Sequence, residues 1–275
     1  MKNTVIAMVV IFSLSTAVSA QNFSNQKEKF TIANPENSLR AGETLHYRLE
    51  CLGIPMGNII LKVEDIKKIN GRDCYHITGR AVPNRLFCKL YDVEYTVHTY
   101  IDTNTFQTLR FEKTRRLRDK FDSVEIDFDW EKKEAKYKTQ GSTATITLSG
   151  VRDKIESDTP STLKIMSGVQ DLLSSFYCLR LMQLEVGKNY SINIYYARRN
   201  WKLDLKAEKP FLKDIRHKGS FLVFGVFINS KLSEYILGRR NIFVCLTADS
   251  RRIPVGFRFN TGIGPIEGKI RDPLD

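Results

Sequence analysis

The chain contains few of the residues on which enzymatic and metal sites usually depend. Its four histidines, His46, His76, His98 and His217, are far apart and show no metal-ligand spacing, which argues against a zinc enzyme. The sequence has neither a G-x-S-x-G nucleophile motif nor a C-x-x-C pair. A glycine-rich segment, residues 262–268, lacks the Lys-Ser/Thr ending of a phosphate-binding loop and precedes no predicted helix. These absences favour a non-enzymatic protein with no catalytic residues, no metal and no cofactor.

Long hydrophobic runs are also scarce, and the one near the N-terminus has the features of an export signal. A basic Lys2 precedes an apolar run, and Val18-Ser19-Ala20 forms a small-residue cleavage site before Gln21. We therefore expect residues 1–20 to be a signal peptide that is cut after Ala20, which places the mature protein in the periplasm. Since Gln21 is not a cysteine, a lipidated N-terminus is not expected. No later segment reaches about 18 uninterrupted apolar residues, so we expect a soluble mature chain without a transmembrane segment.

Acidic residues are outnumbered, because 31 Asp and Glu face 43 Lys and Arg for a formal net charge of +12. An exported basic protein rarely meets nucleic acid, so nucleic acid is not an expected partner. The surplus favours contact with anionic lipid or anionic envelope glycan, or it serves solubility alone. Arginines near predicted hairpin tips suggest an anion-attracting rim, since arginine binds phosphate in a bidentate manner. The candidates for anion contact are Arg115, Arg116, Arg118, Arg198, Arg199, Arg251 and Arg252. The alternative is that these tips are scattered and only solvated.

Cysteine is limited to five residues at wide and irregular spacing: Cys51, Cys74, Cys88, Cys178 and Cys245. Disulfides are permitted in an oxidising compartment, but an odd count leaves at least one thiol free or paired between chains. Because the cysteines have apolar neighbours, we expect them to be buried as small hydrophobic residues. The alternative is that two of them form one disulfide. A chain of this length builds its core without disulfides.

Alternating apolar and polar residues after Gly42 predict many short antiparallel strands. Leu45, Tyr47 and Leu49 share one face of the first of them, which is typical of a half-buried strand. The same period of two recurs over residues 91–101, 106–113, 124–130, 135–139, 143–148, 190–195, 201–206, 221–227, 242–247, 253–259 and 266–270. Many strands separated by turns predict a mainly β fold. We expect one domain over residues 39–272, preceded by a flexible, polar lead-in over residues 21–38.

One helix is predicted among the strands, over residues 169–184. Ser167-Gly168-Val169-Gln170 has the S-x-x-Q form of a capping box at a helix start. Asp171 in the first turn and Arg180 near the last complement the helix dipole. Leu172, Phe176 and Leu179 lie on a wide apolar stripe. We expect this helix to line the concave side of a curved open or spiral barrel.

Five segments of the sequence carry a family resemblance. Two of them are Gly42-Glu43-Thr44-Leu45-His46-Tyr47 and residues 169–180, V-Q-D-L-L-S-S-F-Y-C-L-R. The Gly42 segment and the part from Asp171 to Arg180 are the most specific. The others are Gly53-Ile54-Pro55-Met56-Gly57, Tyr100-Ile101-Asp102 and residues 246–255, L-T-A-D-S-R-R-I-P-V. Together they resemble the bacterial envelope domain-of-unknown-function family 3108 over roughly residues 39–270. The resemblance implies a secreted β domain wrapped around a helix, a shape like that of lipid-handling envelope proteins. It implies no established activity and no catalytic residues.

The leading hypothesis is a non-enzymatic envelope protein that binds a lipid or other amphiphile in a groove between the sheet and the helix. The candidate ligand-binding residues are Tyr95, Phe176 and Tyr177 in the wall and Arg180 at the mouth. These aromatic side chains equally suit a filled core. The second hypothesis is a structural or scaffold protein that binds an envelope partner or an anionic glycan through sheet edges or arginine-rich tips. The remote alternative is a hydrolase of envelope polymers that uses Asp127 and Asp129, which share a strand face.

Overall fold

The computed structural model describes residues 39–84, 93–117, 120–141, 143–146, 152–155, 161–215, 218–237, 241–261 and 264–271. The predicted signal peptide and lead-in lie outside these residues, as do the side chains of Cys88, Arg118 and His217.

Most of the described residues lie in β-strands. The strands are β1 (Thr44–Cys51), β2 (Ile54–Ile69), β3 (Arg72–Pro83), β4 (Val93–Asp102), β5 (Thr108–Leu117), β6 (Lys120–Asp129), β7 (Glu134–Gln140), β8 (Thr143–Ile146), β9 (Arg152–Ile155), β10 (Ser161–Lys164), β11 (Asn189–Tyr196), β12 (Arg199–Ala207), β13 (Phe211–Ile215), β14 (Gly219–Asn229), β15 (Asn241–Thr247), β16 (Pro254–Thr261) and β17 (Gly264–Ile270). The helices are α1 (Leu172–Leu181) and α2 (Lys231–Leu237). None of the described helices has the length and apolarity needed to cross a bilayer.

Fifteen of these strands form one antiparallel sheet. Its order is β10-β7-β6-β5-β4-β3-β2-β1-β17-β16-β15-β14-β12-β11, with β13 also paired to β14, while β8 and β9 form a separate hairpin. The first and last strands pair in the middle of the sheet, where Tyr47 lies opposite Ile270. Successive hairpins extend from this central pair in both directions. As a result, β10 and β11 form opposite ends of the sheet although they flank α1 in the sequence.

The two ends of the sheet approach each other without forming a ladder. Side chains join them: Asn200 Nδ2 donates to the Lys164 carbonyl at 3.0 Å, and Met166 N donates to Asn200 Oδ1 at 2.9 Å. The ring of Tyr195 on β11 also lies 5.8 Å from that of Phe128 on β6, centroid to centroid. We call this contact zone the seam. The predicted curved open barrel of antiparallel strands is confirmed.

The apolar and polar residues that alternate in the sequence lie on opposite faces of the sheet. Along β1, Leu45, Tyr47, Leu49 and Cys51 are buried and their neighbours are half-buried. The buried face points to the inside of the curl, where it forms the core around α1. The described cysteines Cys51, Cys74, Cys178 and Cys245 are all buried and free, as their apolar neighbours predicted.

Helix α1 lies inside the curl and is buried except at Leu172 and Phe176, which are half-buried. Its predicted start was wrong, because the N-cap is Asp171, whose Oδ1 accepts hydrogen bonds from Leu173 N at 2.8 Å and Ser174 N at 3.0 Å. Gln170 is not helical, since it makes a parallel bridge with Ile194 of β11. The helix also ends at Leu181, three residues earlier than predicted, because Met182 is extended.

Helix α1 fills the inside of the curled sheet and is held there by hydrogen bonds to β4 and β5. Asp171 Oδ2 accepts a hydrogen bond from Thr99 on β4, and Ser174 Oγ lies 2.8 Å from Thr108 Oγ1 on β5. Gly79 on β3 gives Val97 room, since a Cβ at Gly79 would lie 2.9 Å from a Val97 methyl group. The short α2 was not predicted.

Candidate functional site

A group of polar side chains lies on the inner face of β4, β5 and β6. Cross-strand register places Tyr95 opposite Arg115, and Arg115 opposite Asp122. Lys113, two residues before Arg115, lies opposite Val97 and Val124. Because side chains two apart share a face, Lys113 and Arg115 point the same way as the buried Phe111. We call Tyr95, Lys113, Arg115 and Asp122 the inner polar cluster.

Arg115 and Asp122 form a tight ion pair within this cluster. Arg115 Nη2 donates to Asp122 Oδ1 at 2.7 Å, and Nε donates to the same oxygen at 3.0 Å. Both side chains are largely buried. Burial opposes the charge on Arg115, but hydrogen bonds to Asp122 and Tyr95 outweigh it and raise the pKa of the guanidinium. Asp122 is therefore already neutralised by Arg115.

Lys113 brings a second positive charge to this inner surface. Its side chain is half-buried, and none of the carboxylates that the structure describes forms an ion pair with its ammonium group. Burial lowers the pKa of Lys113 to about 8, repulsion by Arg115 adds to the effect, and Asp122 offsets part of it. A desolvated cation without a paired anion is unfavourable. The inner polar cluster thus carries one positive charge more than its acidic residue balances.

The surroundings of Lys113 are apolar. Val97 is buried, Val124 packs against the core, and Ile126 and Phe111 continue the same inner surface. An ammonium group set among such side chains is suited to a ligand with one anionic end and an apolar remainder.

The four predicted ligand-binding residues do not form one group. Tyr95 is buried in the inner polar cluster. Phe176 on α1 is half-buried and packs edge-on against Tyr47 at 6.5 Å, while Tyr177 is fully buried with its ring 6.1 Å from Phe176. Their role as walls of a ligand groove stays a prediction.

Arg180 is fully buried and bound to Glu43. Its Nη1 and Nη2 donate to the two Glu43 carboxylate oxygens at 2.6 and 2.8 Å, and its Nη2 also donates to the Arg251 carbonyl at 3.3 Å. Burial opposes its charge, but the bonds to Glu43 raise the pKa of the guanidinium. Arg180 therefore ties the end of α1 to the start of β1, and any ligand would compete there with Glu43.

The predicted anion-contact arginines occupy different places. Arg115 points inward, and Arg116 is exposed on the other face of β5. Arg198 lies at the seam, donating to Ser161 Oγ at 2.8 Å, beside the half-buried Arg199. Arg251 pairs with Asp249 at 3.1 Å, and Arg252 lies 5.7 Å from the centroid of the Phe224 ring. Arg118 lies outside the described residues. A shared anion site for these residues stays a prediction.

The acidic pair considered for hydrolysis is held by other contacts. Asp127 accepts a hydrogen bond from Arg110 Nε at 2.6 Å, and Asp129 accepts one from Lys132 N at 3.0 Å. Two of the histidines contact each other, since His76 Nε2 lies 3.0 Å from His98 Nδ1. Within the described ranges no group of three or more His, Cys, Asp and Glu side chains is placed to hold a metal ion.

Sequence reasoning missed Lys113 and Glu43. A signal for Lys113 was present, because the alternation Phe111, Lys113, Arg115 places it on the apolar side of the strand. Glu43 gave no local signal, because its partner Arg180 is 137 residues away in the sequence.

Comparison with known proteins identifies the family. Among solved structures, one match is the crystal structure of a beta-barrel-like protein of domain of unknown function DUF1849 from Brucella abortus. The two share 12% sequence identity with a TM-score of 0.49, over 83% of this chain and 95% of that one. No curated protein matches the sequence. The family model described as "Protein of unknown function (DUF3108)" matches residues 44–271, which is most of the chain. The chain therefore belongs to the DUF3108 family.

Proposed function

We propose that this protein is an exported, non-enzymatic protein of the bacterial cell envelope that binds an anionic amphiphile inside its curled sheet. A fatty acid or a phospholipid has the required chemistry, with a single anionic head and an apolar chain. The observation that carries the proposal is the Lys113 ammonium group, which is half-buried among apolar residues and forms no ion pair with a described carboxylate.

An anionic head group would provide Lys113 with a counter-charge that no described carboxylate supplies. A carboxylate or phosphate between Lys113 and Arg115 would accept charge-assisted hydrogen bonds, which are the stronger kind in a desolvated site. The apolar chain would then lie along the inner surface that includes Val97 and Val124. Binding of this kind requires no catalytic group.

Native mass spectrometry of protein purified without detergent tests the proposal. We expect lipid adducts on the wild-type protein and at least about a tenfold weaker affinity for a fluorescent fatty acid in Lys113→Met, since one charge-assisted interaction is lost. Arg116→Met is the matched control, because this neighbouring cation lies on the opposite face of the same strand. It should bind like the wild type.

Three results would contradict the proposal. They are equal affinity in Lys113→Met and the wild type, equal losses in both variants, or no adduct and no fatty-acid binding at all. Recovery of a protein complex in place of lipid would support the scaffold hypothesis instead.

Export has its own test. N-terminal sequencing of protein recovered from the periplasmic fraction should begin at Gln21. Recovery of the uncut chain in the cytosolic fraction would contradict export.

A further inference from the structure

Large apolar side chains are exposed around the β13–β14 hairpin, on the other half of the sheet from the inner polar cluster. They are Val186, Phe211, Leu212, Leu222 and Phe227, which we call the docking patch. Leu212 and Leu222 lie opposite each other in the ladder and are 73% and 53% exposed. Leu212 and Leu222 lie on one face of the hairpin, and Phe211 and Phe227 lie on the other. Scattered single apolar residues are ordinary on a protein surface, but several large ones exposed on both faces of one hairpin indicate an interaction site.

A cleft of about 500 Å³ opens within the docking patch. Phe211, Phe227 and Val186 line it together with Phe243. The rings of Phe227 and Phe243 are 4.7 Å apart, centroid to centroid. Phe243 can lie this close to β14 because residue 225 is glycine, where a Cβ atom would come within 2.4 Å of its ring. The aromatic floor of the cleft is therefore built into the sheet.

Lysines border this apolar surface. Lys206 and Lys209 line the cleft, and Lys213 lies near enough to lower the pKa of Cys245, which burial otherwise raises. None of these three ammonium groups pairs with a carboxylate among the residues that the structure describes. The acidic residues of this region are Glu208 and Asp214, and Asp214 accepts a hydrogen bond from Ser220.

We propose that the docking patch binds the anionic surface of a lipid bilayer. The apolar side chains would enter the interfacial layer, while the lysine stems extend their ammonium groups to the lipid phosphates. Each lysine near an anionic surface adds attraction that salt screens, and the net charge of +12 acts in the same direction. This inference does not depend on a ligand in the inner polar cluster.

A bilayer fits the docking patch better than a protein partner does. Phe211 and Leu212 are neighbours in one strand, so they point to opposite faces of the hairpin, and both are exposed. A partner protein would cover one face, whereas a lipid layer surrounds both. Lysine is also depleted in protein interfaces, and here it borders the patch.

Vesicle co-sedimentation of the full chain tests the inference. We expect the protein to sediment with vesicles in which roughly a third of the lipid is phosphatidylglycerol, and much less with pure phosphatidylcholine. Leu212→Asp and Leu222→Asp should each weaken binding by about tenfold or more. Ile66→Asp is the matched control, because this strand residue is 47% exposed outside the patch and gives the same change in charge. It should bind like the wild type.

Several results would overturn the inference. They are equal binding to neutral and anionic vesicles, unchanged binding of both leucine variants, or no sedimentation with either vesicle. A dimer in analytical ultracentrifugation that both leucine variants abolish, without vesicle binding, would assign the patch to a second copy of the chain. Fatty-acid binding should persist in the leucine variants, so loss of membrane binding and loss of the interior ligand are separable.

Discussion

At the scale of single residues, Lys113 is the side chain whose setting departs furthest from what its type prefers. Lysine is rarely buried unless it is paired, yet here it lies between two valines on the core side of a strand. Arg115, two residues on, forms an ion pair with Asp122, whereas no described carboxylate pairs with Lys113. Two cations of the same strand face thus have opposite pKa shifts, upward for Arg115 and downward for Lys113.

The lowered pKa of Lys113 predicts a pH-dependent stability. Between about pH 8 and the ordinary lysine pKa of 10.5, the unfolded chain binds a proton at Lys113 that the folded protein does not. The free energy of unfolding of the wild type should therefore rise with pH in this window, by about 1–3 kcal/mol relative to Lys113→Met. Urea unfolding at several pH values measures this difference.

The control for this experiment is Arg116→Met, because this cation is exposed on the opposite face of the same strand. Its difference from the wild type should not vary with pH. A difference for Lys113→Met that is constant from pH 8 to 10.5 would show that Lys113 is solvated in the folded protein.

At the scale of elements, the strands follow from the local sequence and the position of the helix start does not. Alternation of the kind seen at Leu45, Tyr47 and Leu49 is a property of neighbouring residues, so it could be identified directly. The capping box at Ser167 is also local, but a longer-range contact competes with it: Gln170 pairs with β11, and Asp171 takes the cap. Contacts across the sheet decided between the two possible starts.

The far end of α1 depends on one buried ion pair, between Arg180 and Glu43. We predict that Glu43→Leu lowers the free energy of unfolding by about 2–4 kcal/mol, because it leaves the buried guanidinium without its carboxylate. The double variant Glu43→Leu with Arg180→Met should be more stable than Glu43→Leu alone, because it leaves no unpaired guanidinium charge in the core. Chemical denaturation of the three proteins measures both effects.

Glu185→Leu is a matched control, because its ion pair with Lys188 is exposed. It should unfold like the wild type. A double variant no more stable than Glu43→Leu would mean that packing of the Arg180 side chain, and not its charge, secures the helix.

At the scale of the whole molecule, the pairing of β1 with β17 joins two halves of the sheet. The register from Tyr47–Ile270 to Cys51–Ile266 links residues more than 200 positions apart. No local pattern reports such a pairing, so the order of the strands could not be derived from alternation. The barrel around a helix could be predicted from the family resemblance. The inward orientation of Lys113 could be predicted only from the alternation of side chains along its strand.

This central position predicts that loss of β17 disrupts the entire sheet. A chain ending before Gly264 would leave β1 and β16 each with an unpaired edge inside the fold. We expect it to lose cooperative thermal unfolding, as followed by circular dichroism, whereas a chain ending after Arg271 should keep it. A shortened protein that still melts in one sharp transition would show that the two halves are independently stable.

The same pairing has a consequence for biosynthesis. The ribosome makes β1 before β17, so the sheet cannot be completed until residues 264–270 have been synthesised. Contacts of such large sequence separation form slowly. Until then, the edge of β1 that pairs with β17 has no hydrogen-bonding partner strand. The sheet of a nascent chain is therefore completed only after β17 has left the ribosome and paired with β1.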